Sequence, residues 1–284
     1  MVIPRENVSI LLVLLALLGG CVTPAQHADR LAAKAGLVRS VFQGDKFHHV
    51  AYARITSGGP LFVYLEGDGR PWIHGGRKIN TDPTGRHPLA LELAARSQVA
   101  STLYLGRPCY LGLAALPECH SADWTFDRYS ADIVRSLAVC LNRFVTDHGF
   151  RDVVLIGHSG GGTLALLMAP QVMNLRAVIT VAGNLDVKAW TAYHRYLPLQ
   201  GSLDPADTGP LAAGIVEIHL TGGADTEVPA ILLGRYLAGH PGAQQWTYPR
   251  FGHRCCWQDA WPELLPKLVE TVLPDHLGIG WPKK

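Results

Sequence analysis

The sequence lacks the marks of several protein classes. It contains no run of four or more basic residues, and its formal net charge is only +2 over 284 residues. Nucleic-acid binding is therefore not expected, because contact with phosphates needs concentrated lysine and arginine. Six cysteines are too few for a disulfide scaffold. The longest apolar run has nine residues, whereas a membrane span takes about 20. What is present is 48% apolar residues, enough for a globular core.

The nine-residue apolar run, residues 10–18, indicates export. Its length is typical of the hydrophobic region of a signal peptide, and the small residues Gly19 and Gly20 follow where a peptidase would cleave. Together with Leu18 and Cys21 they resemble a bacterial lipobox. That resemblance implies that Cys21 is lipidated and becomes the first residue of the mature protein. An ordinary signal peptide with an incidental cysteine is the alternative.

The lipobox resemblance also implies a domain organisation and a location. Residues 1–20 would be the signal peptide, and residues 21–39 the lipidated cysteine and a tether. Two or three acyl chains anchor a protein stably where one does not. The chain is therefore expected at a membrane of the bacterial cell envelope, facing the periplasm. Val22, in place of an aspartate, favours the outer membrane by the usual bacterial sorting rule.

Residues 40–284 are expected to form one α/β domain. Segments typical of buried strands alternate with amphipathic helical segments, which predicts a mostly parallel central sheet with helices on both faces. Residues 183–210 predict a short cap-like insertion, whose aromatic residues either line a pocket for an acyl group or fix the loop to the body. The predicted strands are 48–56, 61–65, 99–105, 153–156, 177–181, 215–220 and 244–248, and the predicted helices are 89–96, 129–148, 160–168, 230–237 and a C-terminal one.

A candidate nucleophile, Ser159, lies in Gly157-His158-Ser159-Gly160-Gly161, between an apolar strand segment and a helical segment. A nucleophile elbow requires this strand–turn–helix setting. The turn strains the serine backbone, so close neighbours must lack a bulky Cβ, and Gly157 and Gly161 meet that need. The amide of Gly160 is expected at the helix N-terminus, facing an oxyanion. A phosphate-binding loop is disfavoured because no Gly-Lys-Ser/Thr sequence follows.

An activated serine needs an orienting acid and a base, in the chain order serine, acid, histidine. His253 is favoured as the base because it follows the last predicted strand. Asp225 is favoured as the acid because it follows strand 215–220, and Asp186 and Glu227 are its rivals. The other downstream histidines are His194, His219, His240 and His276.

These motifs resemble those of the α/β-hydrolase superfamily over roughly residues 40–272. The resemblance implies the α/β-hydrolase fold, with Ser159 as nucleophile, Asp225 as acid and His253 as base, and with no metal or organic cofactor. The matching motifs are Gly-His-Ser-Gly-Gly at 157–161, Gly-Gly-Ala-Asp-x-x-Val-Pro at 222–229 and Gly-His at 252–253.

The chain departs from the superfamily pattern after strand 61–65. Many members carry His-Gly-x-Gly there, and Glu66 stands in the place of the histidine. A backbone donor survives such a change. The resemblance therefore implies an oxyanion hole formed by the amides of Gly160 and Asp68, with Gly67 as the alternative to Asp68.

The expected reaction transfers an acyl group from an ester-type bond to water through an acyl-enzyme on Ser159. The substrate would be a small-molecule or lipid-like acyl compound, as for an esterase, lipase or thioesterase. One alternative is a non-catalytic lipoprotein of the same fold that only binds a ligand. Another is a metal or thiol site at His253, Cys255 and Cys256, although adjacent cysteines cannot easily both ligate one tetrahedral ion.

The remaining cysteines suggest disulfides, because an exported chain meets an oxidising compartment. Cys109 and Cys119 bracket a short loop before the helix at 129–148, and we expect them to pair. Cys140 lies on the apolar stripe of that helix and is interpreted as a core residue. Cys255 and Cys256 either form a vicinal disulfide or remain reduced, and we expect the disulfide.

Overall fold

The computed structural model describes residues 22–56, 58–97 and 101–276, and a central sheet runs through it. Eight strands form that sheet in the order β1-β2-β6-β3-β7-β8-β9-β10 along its width, and β4 and β5 form a separate hairpin. The strands are β1 (Val38–Gln43), β2 (His48–Arg54), β3 (Leu61–Leu65), β4 (Trp72–Ile73), β5 (Lys78–Ile79), β6 (Ser101–Leu105), β7 (Val153–His158), β8 (Leu175–Val181), β9 (Val216–Gly222) and β10 (Gln244–Tyr248).

The sheet is mostly parallel, as the alternating pattern predicts. β2 pairs antiparallel with β1 and β6, and every other neighbouring pair is parallel. Helices cover both faces, so β3 and β7 at the centre are buried along their whole length. The helices are α1 (Pro24–Lys34), α2 (Leu89–Arg96), α3 (Ala131–His148), α4 (Gly160–Met168), α5 (Val187–His194), α6 (Gly234–Gly239) and α7 (Trp257–Val272).

The tether expected over residues 21–39 is wrong for its described part. Residues 24–34 form α1, which begins with a capping box in which the side chains of Thr23 and Gln26 each accept from the other's backbone N–H. Ala28 and Ala32 on one face are buried in the core, and β1 begins at Val38. The folded domain therefore starts well before residue 40.

The predicted signal peptide and lipidated Cys21 lie outside the described residues. Within the ranges that the structure describes, no helix combines the length and apolar character needed to cross a membrane.

Both expected disulfides are present. Cys109 and Cys119 are bonded, with Cα atoms 5.6 Å apart, and Cys255 is bonded to Cys256. Cys140 is a buried free thiol on α3. The Cys109–Cys119 loop supports the segment after β3, because the Tyr110 hydroxyl donates to the carbonyl oxygen of Asp68.

Candidate active site

Ser159 stands at the turn between β7 and α4, with φ 53° and ψ −121°. A positive φ is costly for a residue with a side chain, so the surrounding structure must hold it. The chain packs closely on both sides of the turn. A Cβ on Gly157 would lie 2.2 Å from the carbonyl oxygen of Gly161, and a Cβ on Gly161 would lie 2.1 Å from that of Leu65. The two glycines therefore allow the turn that presents the Ser159 hydroxyl.

A chain of hydrogen bonds joins Ser159, His253 and Asp225. Nε2 of His253 lies 3.0 Å from Oγ of Ser159, and Nδ1 lies 2.9 Å from Oδ2 of Asp225. The other carboxylate oxygen of Asp225 accepts hydrogen bonds from the backbone N–H groups of Glu227 and Val228. Because the carboxylate accepts from Nδ1, Nε2 is left free to accept the serine proton. His253 and Asp225 are both buried, which fixes this orientation.

The rival acids do not occupy this position. Asp186 caps α5 by accepting from the N–H of Ala189, and its carboxylate pairs with Arg235. The carboxylate of Glu227 lies 3.7 Å from Nε2 of His253, but its side chain is 62% exposed and Nδ1 faces Asp225. The structure therefore brings Asp225 to the imidazole, one strand later than Asp186.

Three of the other histidines form hydrogen bonds elsewhere. Nε2 of His219 lies 2.8 Å from the Glu217 carboxylate inside the sheet, and Nε2 of His240 bonds the Gly209 carbonyl oxygen. His194 on α5 donates to the Glu227 carbonyl oxygen. His276 ends the short helix that follows α7.

The segment after β3 and the N-terminus of α4 meet beside Ser159. A Cβ on Gly67 would lie 3.3 Å from Cβ of Ser159, and a Cβ on Gly160 would lie 2.1 Å from Oδ1 of Asp68. Of the residues expected to supply oxyanion amides, Gly160 and Gly67 are thus immediate neighbours of the serine, and the Asp68 carboxylate lies against Gly160.

The Asp68 side chain anchors a buried polar cluster that the sequence pattern does not reveal. Its carboxylate accepts from Arg107 at 2.7 Å, from Arg128 at 2.8 Å and from the Tyr129 hydroxyl at 2.7 Å. Burial alone would raise the pKa of this carboxyl, but the charges of Arg128 and Arg107 outweigh burial and lower the pKa to about 2. The partners lie at least 39 residues from Asp68 in sequence, so no local motif could find them.

Glu66 and His158 support the two sides of the site. The Glu66 carboxylate accepts from the N–H groups of Gly67, Ala90 and Leu91. His158 donates from Nε2 to the carbonyl oxygen of His253, at 3.1 Å, and so holds the loop that carries the base. Glu66 therefore acts on backbone amides in the place where the superfamily pattern has a histidine.

A pocket of about 640 Å³ opens beside Ser159 and His253. The cap-like insertion contributes α5 and the residues after it to one wall, where the Trp190 and Tyr196 rings are 5.3 Å apart. Trp190 also donates to the Glu227 carbonyl oxygen. These aromatic residues therefore both line the pocket and fix the insertion to the body, the two roles that the sequence left open.

The alternative metal or thiol site at His253, Cys255 and Cys256 does not fit this arrangement. The two cysteines are bonded to each other, so neither offers a thiolate. The ring nitrogens of His253 are engaged by Ser159 and Asp225.

No family model and no curated protein matches this chain. Its structure is similar to an esterase from Pyrococcus furiosus, with a TM-score of 0.57 and 11% identity over 84% of this chain and 92% of that one. It is also similar to a serine hydrolase without a lid from Xanthomonas campestris, with a TM-score of 0.53 and 13% identity over 86% and 97% of the chains. A third similar structure is alpha/beta hydrolase domain-containing protein 10 from mouse, with a TM-score of 0.56 and 14% identity over 85% of this chain and 100% of that one. These likenesses show the fold: the chain has the α/β-hydrolase fold.

Proposed function

We propose that this protein is a serine hydrolase that cleaves an ester-type acyl bond through an acyl-enzyme on Ser159. The observation that carries the proposal is the hydrogen-bond chain from Oγ of Ser159 through His253 to Asp225, at 3.0 and 2.9 Å. These distances lie within the range for proton transfer between a nucleophile and its base. The setting also supports it, because the chain lies on an α/β-hydrolase fold and borders a pocket.

The proposed reaction begins with attack of Oγ of Ser159 on the substrate carbonyl carbon, while Nε2 of His253 accepts the hydroxyl proton. Collapse of the tetrahedral intermediate breaks the bond to the leaving group, which takes that proton from His253. Water then attacks the acyl-enzyme, gives a proton to His253, and releases the acid as Ser159 regains its proton. Asp225 holds the ring tautomer and stabilises the imidazolium throughout.

The developing oxyanion would be held by the backbone amides of Gly160 and Asp68, with Gly67 as the alternative to Asp68. In comparable sites, one such donor contributes about 3 kcal/mol of transition-state stabilisation. The contact of the Gly160 turn with the Asp68 carboxylate supports this assignment, because it keeps both segments beside Ser159. The reaction needs no metal or organic cofactor in this scheme.

The test combines active-site labelling with ester hydrolysis. A fluorophosphonate probe should label the wild type and leave Ser159→Ala unlabelled, and chelators should have no effect. Ser159→Ala should reduce turnover of p-nitrophenyl esters by about 10⁶-fold, and Asp225→Asn by about 10⁴-fold. Asp186→Asn is the matched comparison, with folding of each variant checked by circular dichroism. An unlabelled wild type would favour a binding protein, and a larger loss in Asp186→Asn would move the acid to that residue.

We further propose that Cys21 is lipid-modified and holds the hydrolase at the periplasmic side of a bacterial envelope membrane. The position of α1 bears on this proposal, because the helix begins at Pro24 and packs on the core. An anchor at Cys21 would thus keep the folded domain close to the lipid surface instead of at the end of a long tether.

A further inference from the structure

Three arginines line the mouth of the pocket without a protein partner. Arg70, Arg195 and Arg254 are exposed residues of its lining. Across residues 22–56, 58–97 and 101–276, none of their side chains forms an ion pair or a hydrogen bond. Arg107 and Arg128, deeper in the site, differ because both are committed to Asp68. The three guanidinium groups at the mouth therefore keep their donors available for a ligand.

The three side chains come from separate segments that converge on this pocket. Arg70 follows β3, Arg195 ends α5 in a left-handed conformation with φ 57°, and Arg254 directly follows the candidate base His253. They surround the same space that Ser159 borders. Three positions that are distant in sequence thus place positive charge around one opening.

Few carboxylates in the lining oppose these charges. Asp68 is paired with arginines, and Glu66 is buried and accepts backbone N–H groups. Glu227 is the exposed acid of the lining, and its carboxylate faces Nε2 of His253 at 3.7 Å. The mouth therefore presents three unpaired cations and one exposed carboxylate.

The walls of the pocket are aromatic and apolar. The Trp72 and Phe126 rings contact each other edge to face at 5.8 Å on one side. Trp190 and Tyr196 do so on another, beside the 71% exposed Leu197. Such walls accept alkyl or aromatic groups, whereas guanidinium groups bind carboxylates and phosphates in bidentate geometry.

We propose that the substrate is an anionic ester, with an alkyl or aromatic part between the pocket walls and a carboxylate or phosphate group held by Arg70, Arg195 and Arg254. This inference rests on the proposed function, because it assigns the substrate class of the same site. The arginines select by charge, and Ser159 performs the same acyl transfer on whichever ester binds.

The test uses ester pairs of similar size in which one member is anionic and the other neutral, with release of the p-nitrophenol or the phenol as the measured reaction. On the acyl side these are p-nitrophenyl hemiadipate and p-nitrophenyl hexanoate, and on the alcohol side 4-acetoxybenzoate and its methyl ester, each corrected for uncatalysed hydrolysis. The wild type should prefer the anionic member of at least one pair in kcat/KM by about tenfold or more. Each of Arg70→Gln, Arg195→Gln and Arg254→Gln should lower that preference about two- to fivefold. Added salt should lower it as well.

Arg151→Gln is the matched control. Arg151 is also exposed, but it precedes β7 at the end of the strand opposite Ser159 and does not belong to the lining. The variant should keep the wild-type preference. Competing butyl phosphate and pentanoate then distinguish the two anions, since the stronger inhibitor identifies the group that the arginines hold.

The outcomes separate this inference from the proposed function. Loss of hydrolysis in Ser159→Ala without any anionic preference in the wild type would overturn the inference and leave the hydrolase assignment standing. The inference would also be overturned if Arg151→Gln lowered the anionic preference as much as the pocket variants do, because the preference would then depend on the net charge of the protein. Should neither ester pair be hydrolysed, tryptophan fluorescence titration of Ser159→Ala decides: equal affinity for charged and neutral esters refutes the inference.

Discussion

The substitution Asp68→Asn removes the negative charge that pairs with the two buried guanidinium groups of Arg107 and Arg128. The Arg107 side chain is 1% exposed and that of Arg128 is 6% exposed, and each donates to a different oxygen of the Asp68 carboxylate. An asparagine keeps the shape but offers only one acceptor oxygen, so both guanidinium groups lose their counter-charge. Removing one partner of a buried pair typically costs about 3–5 kcal/mol, since the remaining charge stays buried. We expect a loss of that size in the free energy of unfolding.

The pH dependence gives an independent measure of the same interaction. The pKa of Asp68 is lowered from 3.8 to about 2 by Arg128 and Arg107, against the opposing effect of burial. A carboxyl whose pKa is lower in the folded state stabilises that state at pH values above its unfolded-state pKa. This stabilisation disappears as the pH falls from about 4 to about 2. The shift corresponds to about 2 kcal/mol at neutral pH. The difference between wild type and Asp68→Asn should therefore shrink through that acid range.

Urea denaturation followed by tryptophan fluorescence, at neutral pH and in steps towards pH 2, measures both effects. Asp132→Asn is the matched control, because this aspartate also pairs with two cations, Lys46 and Arg135, but is 42% exposed. Its substitution should cost less than about 1 kcal/mol. Equal costs for the two variants would refute the reasoning, and so would a cost at Asp68 that does not change with pH.

Three further predictions concern other parts of the chain. Gly160→Ala would place a Cβ 2.1 Å from Oδ1 of Asp68 and should reduce ester turnover by about 100-fold or more through displacement of the serine turn. At Gly234 an added Cβ would meet no atom of another segment within 4 Å, so Gly234→Ala should keep full activity. Equal activities of the two variants would contradict the packing argument. Replacing Cys109 and Cys119 by serine should lower the free energy of unfolding by about 3 kcal/mol in urea denaturation, and an unchanged midpoint would remove the disulfide from the stabilising contacts. Cys21→Ser should move the protein out of the membrane fraction, and a wild type without lipid mass by mass spectrometry would contradict the anchor.

The fold could be predicted because its signals are local. The apolar run of β3 and the stripe of α3 depend on neighbouring residues alone, and both appear at the predicted places. The N-terminal helix α1 is not among the predicted elements, although Thr23 and Gln26 carry a capping signal. The resemblance to a lipobox favours a tether over residues 21–39, whereas Ala28 and Ala32 find their partners only in the folded core.

The candidate site likewise contains residues that local sequence signals predict and contacts that they do not. Ser159 lies in a contiguous motif, and positions directly after predicted strands favour His253 and Asp225, which the structure joins to Ser159 in one chain of hydrogen bonds. The partners of the Asp68 carboxylate are 39 to 61 residues away in the chain. Only the packing of several loops brings them together, so single-sequence patterns carry no trace of this cluster.

The hydrogen bonds of Glu227 connect the pocket wall to the candidate acid, and this connection bears on how the pocket can change by substitution. The Glu227 carbonyl oxygen accepts from Trp190 and His194 on the pocket wall, while the N–H of the same residue donates to Asp225. The wall that would recognise the substrate and the carboxylate that orients His253 are thus parts of one mechanical unit. A substitution of Trp190 would remove one of the two hydrogen bonds to this carbonyl oxygen, so we expect it to alter both the pocket wall and the support of the Asp225 loop. Trp72 and Phe126, on another side of the pocket, take no part in these bonds, so we expect substitutions there to change the pocket without altering the support of Asp225.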